Sequence, residues 1–265
     1  MGYLLGISPL LLWGQREIRL PFSATLFTVD GLYNLYLWSQ EERALYKFWA
    51  PAYDSLTRIG GAPGGEGFLS ITSIAPVGNQ QLYVLDAAGQ VVTLLGTNLQ
   101  PLQKLSYDQL PPEVRSNFPI LMAVGQAGEL YLLLRETQEV VKIDFFGRVL
   151  LRFGGRLFGA GRLVAPSIIH ADGGRLFVTD TILRQIIEYD EWGNFLEATP
   201  FPSSAHTGVG FTLGKFFWRD SVGWWYPSQG NSHTITFPAY PQQVVVRGNR
   251  LYWMARDRLG WYPLP

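Results

Sequence analysis

The sequence repeats one short pattern six times. Apolar runs around a central aromatic residue occur as NLYLWS, QLYVLD, ELYLLL, RLFVTD, KFFWRD and RLYWMA. The central aromatics are 47, 48, 46, 40 and 35 residues apart, at Tyr36, Tyr83, Tyr131, Phe177, Phe217 and Tyr252. A period of about 40–50 residues built from short strands is typical of four-stranded propeller blades. The repeat therefore predicts an array of similar β-units.

Turn residues recur with the same period. Asp144 and Gly147 recur 46 residues later as Asp190 and Gly193, in the spacing Asp-x-x-Gly. This spacing favours a hairpin turn in which the glycine has a positive φ. A glycine-rich stretch also recurs after 94 residues, or two repeats, with Arg58, Gly60, Gly61, Gly65, Gly67 and Ile74 matching Arg152, Gly154, Gly155, Gly159, Gly161 and Ile168.

The strand pattern predicts how the array closes. The fourth unit has four predicted strands, at 166–170, 175–180, 185–190 and 195–199. The last unit has only three, at 243–247, 250–255 and 258–264. The alternating segment 16–22 remains at the other end of the chain, and we expect it to complete the last blade so that no sheet edge is bare there. The predicted fold is all-β: a six-bladed β-propeller of four-stranded antiparallel blades, closed by pairing of the N- and C-terminal strands.

Residues 153–196 resemble an NHL repeat. The matching positions are Gly154, Gly155, Gly159, Gly161, Ala171, Asp172, Gly174, Val178, Asp180, Arg184, Asp190 and Gly193. The first unit keeps Arg43 but has Ser39 in place of the aspartate, and the second keeps Asp86 but has Gln90 in place of the arginine. The resemblance implies one NHL-like propeller domain over residues 15–265. That fold is shared by lyases, lactonases and binding modules, so it does not select an activity.

The N-terminal residues 1–14 form a different kind of segment. The apolar run from Tyr3 to Trp13 is too short to span a bilayer but has the length of a signal-peptide core. No Lys or Arg precedes it, which is atypical. We predict a cleaved signal peptide and a periplasmic or secreted protein; the alternative is an apolar first strand. Neither a transmembrane segment nor a lipid anchor is predicted.

Charge and cysteine content narrow the possible partners. Lys and Arg number 21, as do Asp and Glu, so the basic excess that favours nucleic acid is missing and no nucleic-acid partner is expected. The chain has no cysteine, which excludes disulfides, thiolate metal sites and a cysteine nucleophile.

The histidines do not predict a zinc site. The proteins that contain NHL-like repeats include an amidating lyase with histidine-bound zinc, so the resemblance implies a zinc site as one possibility. The three histidines here, His170, His206 and His233, are 36 and 27 residues apart and thus not separated by whole repeats. Three protein ligands must converge on a catalytic zinc. We therefore predict no zinc cofactor from these residues.

Carboxylates provide the other candidate metal site. Related lactonases hold calcium with carboxylate and amide oxygens, and the plausible donors here are Asp30, Asp172 and Asp180. Asp30 and Asp172 occupy corresponding ends of predicted inner strands. The equivalent regions of three other units have no acid, so no bound cofactor is predicted, and calcium or zinc is the alternative. If the protein is an enzyme, the candidate catalytic residues are His170, Asp172 and Arg184.

Aromatic residues are concentrated near the C-terminus, beginning with FFWRDSVGWWYP at 216–227. A strand points alternate side chains to opposite faces, so three consecutive aromatics at 224–226 cannot all enter the core. Trp and Tyr also dominate protein interfaces. The candidate binding residues are Trp218, Trp224, Trp225, Tyr226, Trp253 and Trp261. The favoured function is a non-catalytic exported module that binds a protein or glycan; the alternative is a metal-dependent hydrolase or lyase, lactonase-like or amidating-lyase-like, working at the central channel.

Overall fold

The computed structural model describes residues 16–61, 67–157, 159–201, 207–212, 215–219, 224–228, 231–235, 237 and 241–263. Between 207 and 235 only the backbone is described. In chain order the strands are β1 (Arg16–Arg19), β2 (Leu26–Val29), β3 (Leu35–Ser39), β4 (Ala44–Phe48), β5 (Leu56–Gly60), β6 (Ile71–Val77), β7 (Gln81–Asp86), β8 (Val91–Leu95), β9 (Pro101–Ser106), β10 (Pro119–Val124), β11 (Leu130–Leu134), β12 (Glu139–Ile143), β13 (Val149–Gly154), β14 (Pro166–Asp172), β15 (Arg175–Asp180), β16 (Gln185–Asp190), β17 (Phe195–Pro200), β18 (Thr207–Thr212), β19 (Lys215–Arg219), β20 (Trp224–Ser228), β21 (Asn231–Ile235), β22 (Gln243–Arg247), β23 (Arg250–Ala255) and β24 (Arg258–Pro263).

The described strands form four-stranded antiparallel sheets. Blades 1 to 4 are β2–β5, β6–β9, β10–β13 and β14–β17; next comes the β18–β21 sheet, and last the closing blade, β22–β24 with β1. The first strand of each sheet contacts the first strand of its neighbours, and β22 contacts β2, so the inner strands follow one another around a ring. This is the arrangement of a β-propeller.

The prediction of six equivalent blades needs correction. The structure establishes five blades, namely blades 1 to 4 and the closing blade, whose side chains pack between the sheets. The β18–β21 sheet is defined by backbone pairing alone, and β19 and β20 share only two residue pairs. This part of the chain falls in the short repeat intervals of 40 and 35 residues.

Within blade 4, the predicted strands β15 and β16 have the predicted bounds, while β14 extends two residues further and β17 one. At the seam, β1 pairs antiparallel with β24, with Arg16 opposite Trp261 and Arg19 opposite Arg258. The strand ends at Arg19, whereas the predicted segment continues to residue 22. Both ends of the described chain therefore lie in the same sheet.

The hydrophobic core lies between adjacent blades. One cluster joins the closing blade to blade 1, and others join blades 1 and 2, blades 2 and 3, and blades 3 and 4. The side chains of Trp38 and Trp253 are the largest that are fully buried. The middle strands β3, β7, β11, β15 and β23 supply most of this core because they are covered by a neighbouring blade on each side.

Side chains also link neighbouring inner strands. Gln243 of the closing blade accepts a hydrogen bond from the backbone N–H of Phe27 (2.9 Å) and donates one to its carbonyl oxygen (3.0 Å). In the same way, the hydroxyl of Ser73 accepts from the backbone N–H of Met122 (3.0 Å). These bonds satisfy backbone groups at strand edges that face the ring axis.

Two short helical segments lie between blades 2 and 3: a 3-10 turn at Tyr107–Gln109 and α1 at Pro112–Arg115. Throughout the described residues, no helix has the length and apolar character needed to cross a membrane.

Candidate functional site

The two faces of the ring differ in the turns they carry. We name the face at which the inner strands end the upper face, and the opposite one the lower face. Because each sheet is antiparallel, turns between first and second strands and between third and fourth strands lie on the upper face. Turns between second and third strands lie on the lower face. With this division, each candidate site residue that the structure describes can be assigned to the upper or the lower face.

Asp30 lies on the upper face at the end of β2, but its carboxylate closes its own turn. One oxygen accepts from the backbone N–H groups of Leu32 and Asn34, and the other accepts from the Asn34 amide and the Tyr36 hydroxyl, all at 2.9 Å. Asp30 is fully buried. Burial, followed by the negative charge of Asp30, raises the pKa of Tyr36. Both oxygens are therefore occupied by structural hydrogen bonds.

Asp180 has the same structural character on the lower face. Its two oxygens accept four backbone N–H bonds, from Val164 (2.6 Å), Ala165 (2.9 Å), Ile182 (3.1 Å) and Leu183 (2.9 Å). The carboxylate is fully buried. It joins the turn after β15 to the segment that enters β14, so it fixes the backbone of its own blade.

The proposed catalytic and calcium sets are not assembled. Asp172 pairs with Arg175 at the upper end of β15, whereas Asp180 is at the lower end of that strand and Arg184 is in the turn beyond it. A six-residue strand spans about 17 Å between its ends. His170 and Asp172 are therefore separated from Arg184 by the height of the blade. Among the residues that the structure describes, no three His, Asp or Glu side chains are grouped to hold a metal ion.

The structure describes the three histidines to different extents. His206 lies outside the described residues, and only the backbone of His233 is described, in β21. His170 lies on β14, half-buried, near the upper face. Burial lowers its pKa, the nearby Asp172 carboxylate raises it, and the charge of Arg247 lowers it. The charge of Arg247, from the closing blade, therefore acts on His170 of blade 4.

Two of the predicted binding aromatics are core residues, which corrects that prediction. Trp253 is 0% exposed and Trp261 is 7% exposed. Trp253 packs on Phe237 with 6.0 Å between ring centroids, and Gly260 leaves the space that its indole fills. These tryptophans point into the core because they occupy inward-facing positions of β23 and β24. Only the backbone is described for the remaining four, Trp218, Trp224, Trp225 and Tyr226, so their role stays a prediction.

A polar group of side chains surrounds the upper mouth of the ring. Asn79 and Arg247 converge over Gly31: a Cβ atom on Gly31 would lie 2.5 Å from Asn79 Oδ1 and 3.4 Å from Arg247 Nη2. His170 and Asp172 lie at the upper end of the inner strand of blade 4, and the charge of Arg247 acts on His170. We name these five residues, Gly31, Asn79, His170, Asp172 and Arg247, the upper mouth.

Large apolar side chains are exposed on blades 3 and 4. Phe146 and Trp192 are 73% and 68% exposed, and each occupies the third position of the turn between the last two strands of its blade. Leu150 and Leu196, at the start of the outer strands that follow, are also exposed. Each pair recurs after 46 residues. We name Phe146, Leu150, Trp192 and Leu196 the rim surface.

A β-bulge presents each of the rim leucines. The register between β12 and β13 skips Leu150, and that between β16 and β17 skips Leu196. Blade 2 has the same bulge at Leu102, which is likewise exposed. A bulge leaves one residue unpaired and turns its side chain out of the regular alternation. The leucines are therefore directed to solvent by a repeated feature of the outer strands.

The rim surface was missed in the sequence, although a signal was present. The segments 140–150 and 186–196 each place an aromatic residue at the tip of an Asp-x-x-Gly turn, where polar residues are usual. A cavity between blades 2 and 3, lined by Tyr83, Leu94 and Phe145 among others, has a volume of about 10 Å³ and is too small for a ligand. The two surface sites are thus the candidates.

Comparisons with known proteins support the fold. No protein-family model matches the chain, and no curated protein matches its sequence. Among solved structures, it is similar to catalytically inactive virginiamycin B lyase from Staphylococcus aureus with quinupristin (TM-score 0.63, 12% identity, 95% of this chain and 99% of that one). It is also similar to a gluconolactonase from Xanthomonas campestris (0.66, 16%, 96% and 91%) and to YCF48 bound to D1 peptide (0.64, 10%, 98% and 100%). At these identities the likeness shows the β-propeller fold alone.

Proposed function

We propose that the protein is a binding module that takes a protein partner on the rim surface. The observation that carries this proposal is the exposure of Phe146 and Trp192 at the same turn position of neighbouring blades. Exposed apolar groups of this kind mark interaction sites, and aromatic residues provide most of the binding energy at interfaces. Rim leucines beside the aromatics favour an apolar protein segment over a glycan.

The rim surface is held rigidly, which reduces the entropy lost on binding. The Asp190 carboxylate accepts from the backbone N–H groups of Trp192 (2.9 Å) and Asn194 (2.8 Å). The Lys142 ammonium of blade 3 donates to the Glu191 carbonyl in the same turn (3.2 Å). The turn of blade 4 is therefore fixed both internally and against blade 3.

Charged groups border the apolar side chains. The Arg148 guanidinium lies 5.8 Å from the centre of the Phe146 ring and is paired with Asp144 at 2.6 Å. Glu191 is exposed next to Trp192. An apolar centre with a polar border is the usual composition of a protein interface. Export of the protein, which we propose on the basis of its N-terminal segment, would place this partner outside the cytoplasm.

The alternative is a metal-dependent hydrolase or lyase acting near the ring axis. The lyase and gluconolactonase that share the fold give it some support. In this chain, however, Asp30 and Asp180 use their carboxylates within their own turns, and Arg184 is on the face opposite Asp172. The rim surface therefore carries the stronger proposal.

The test replaces the two aromatics by the residue that blade 2 has at this position. Asn98 occupies the third position of the equivalent turn at 96–100, so F146N and W192N suit this backbone. We expect the double variant to bind the partner at least about tenfold more weakly, since each aromatic is a hot-spot residue. The partner is defined as a protein retained by the wild type, and its dissociation constant is then measured by calorimetry.

The matched control is Ile182→Asn, which removes an exposed apolar residue from the lower face. The control and the double variant are both expected to keep the wild-type melting temperature. If the double variant retains every protein that the wild type does, with equal affinity, the rim surface is not the binding site. Sedimentation of the wild type shows whether a second copy of the chain is the partner instead.

A further inference from the structure

We infer that the upper mouth binds a small organic carboxylate whose far end carries a hydroxyl or ammonium group. Arg247 and Asn79 would bind the carboxylate, and Asp172 would accept a hydrogen bond from the far end. This site is on a different part of the molecule from the rim surface, so it does not depend on the proposed function.

The carboxylate end is indicated by two donors that converge from different sheets. Asn79 follows β6 of blade 2, and Arg247 ends β22 of the closing blade, yet both side chains meet over Gly31 of blade 1. Neither forms an ion pair or hydrogen bond with any residue that the structure describes. A guanidinium offers two parallel N–H groups that match a carboxylate, and an amide adds a third donor. Gly31 leaves the space in which they meet.

The far end is indicated by the opposite charge across the mouth. Asp172 is exposed at the end of β14 and is close to His170. Burial lowers the pKa of His170, so this imidazole is neutral at neutral pH and adds no charge. The mouth thus presents the Arg247 guanidinium from the closing blade and the Asp172 carboxylate from blade 4. A ligand with a carboxylate at one end and a donor at the other matches this polarity.

Tyr33 provides an independent observation beside Gly31. It has a φ of 67° at the fourth position of the 30–34 turn, where three equivalent turns have Gly128, Gly147 and Gly193. A tyrosine there strains the backbone, as a non-glycine residue with positive φ does at seven other described positions. Its half-exposed ring lies 4.7 Å from the guanidinium carbon of Arg250, and its hydroxyl lies 2.8 Å from the position of a Cβ on Gly248, the residue after Arg247.

The strain at Tyr33 is not explained by burial alone. A fifth turn of this kind has Leu99 at the same position with a φ of 62°, but Leu99 is 1% exposed and belongs to the core. Burial of an apolar side chain offsets its backbone strain. Tyr33 packs against the cluster between the closing blade and blade 1 but keeps part of its ring in solvent.

The test titrates the whole chain with a matched set of four-carbon probes, observed by protein NMR. 4-Hydroxybutyrate and 4-aminobutyrate have both ends of the inferred ligand, whereas 1-butanol lacks the carboxylate. We expect one or both of the acids to shift the same resonances at the mouth, and 1-butanol to shift none. R247Q should weaken this binding by at least about tenfold, because a charge-assisted pair is lost.

The control is Arg156→Gln, which removes the same charge from an exposed arginine on the lower face; it should bind like the wild type. D172N should weaken 4-aminobutyrate, whose ammonium loses a charge-assisted bond, more than 4-hydroxybutyrate, whose hydroxyl can still donate to the amide oxygen. Equal binding of both acids by D172N and the wild type would show that Asp172 does not bind the far end. The inference is overturned if neither acid binds, or if R247Q and the wild type bind equally. The rim variant W192N should leave this binding unchanged, so failure here and failure at the rim surface are distinguishable.

Discussion

A five-residue turn is used five times at the ends of these blades, at 30–34, 96–100, 125–129, 144–148 and 190–194. In each, the backbone N–H of the first residue donates to the carbonyl of the fifth, and the carbonyl of the first residue accepts from the N–H of the fourth. The fourth residue has a positive φ. The backbone N–H of the third residue is capped by a side chain. Asp30, Asp144 and Asp190 cap it from the first position, whereas Gln100 and Glu129 cap it from the fifth. One backbone shape is thus reached with different residues.

Alanine substitutions at two glycines of this turn distinguish the cost of backbone strain from the cost of steric overlap. Gly128 and Gly193 have φ values of 85° and 79°, but a Cβ on Gly128 would meet no atom within 4 Å, whereas one on Gly193 would lie 2.5 Å from the Phe153 ring. We expect G128A to lower the free energy of unfolding by about 1 kcal/mol and G193A by about 3 kcal/mol. Urea denaturation measures both. Equal losses in the two variants would show that the Phe153 ring moves aside at no cost.

Two buried lysines connect third strands to the next blade. Lys47 of β4 donates to the Thr97 carbonyl of blade 2 (2.7 Å), and Lys142 of β12 makes the equivalent bond to Glu191 of blade 4. Lys142 also pairs with Glu129 at 3.0 Å. Burial lowers the pKa of Lys47, an effect that Asp30 partly offsets. Burial also acts to lower the pKa of Lys142, but the hydrogen bonds and charges of Glu129 and Tyr131 together outweigh this and the pKa is raised.

The opposite shifts predict opposite pH dependence. Because the pKa of Lys47 is lowered in the folded state, the unfolded chain binds more protons between that pKa and 10.5, and the stability contribution of Lys47 rises with pH in this window. The free energy of unfolding of the wild type, relative to that of K47M, should therefore increase as the pH rises from about 8 to about 10. Urea denaturation across this range is the measurement.

Lys142→Met is the control for that experiment. Its pKa is raised, so the stability it provides is fully present below 10.5 and is lost only as the pH rises through the folded pKa. K142M should be less stable than the wild type by a nearly constant amount over the same range, since Glu129 loses its partner. A constant difference for K47M as well would mean that the Lys47 amine keeps an ordinary pKa.

At the scale of the whole molecule, the two ends of the described chain are joined at one seam. Beyond the β1–β24 pairing, the backbone N–H groups of Leu20 and Ala24 donate to the carbonyls of Asp257 (2.8 Å) and Arg256 (3.0 Å). Ile18 packs on the cluster between the closing blade and blade 1. The seam thus closes the sheet with hydrogen bonds and the core with apolar contacts.

Removal of β1 should weaken the entire propeller. We compare a chain that starts at Gln15 with one that starts at Leu20, which lacks β1 and exposes the edge of β24. The melting temperature of the shorter chain should be lower by roughly 5–10 °C, which corresponds to a few kcal/mol for a domain of this size. Light scattering should also show association through the bare edge. If the two chains have the same melting temperature and both remain monodisperse, β1 is dispensable for closing the ring.

The sequence by itself determined the elements, because strand alternation, turn chemistry and repeat length are local properties. It predicted the strands of blade 4 to within two residues and a positive φ at Gly147 and Gly193, where φ is 82° and 79°. The repeat also predicted that Asp30 and Asp172 occupy corresponding strand ends. Both lie at the upper ends of inner strands.

Only the tertiary structure decided which side chains are available. Trp253 and Trp261 are aromatic residues of the type found at interfaces, yet they are buried because neighbouring strands cover them. Asp172 and Arg184 are twelve positions apart in sequence but lie on opposite faces. Asn79 and Arg247, from distant parts of the chain, meet over Gly31 because the ring brings the ends of inner strands together. Whether a side chain is buried, which face of the ring it lies on and which distant residues it meets all depend on contacts between blades. A local sequence pattern does not specify those contacts.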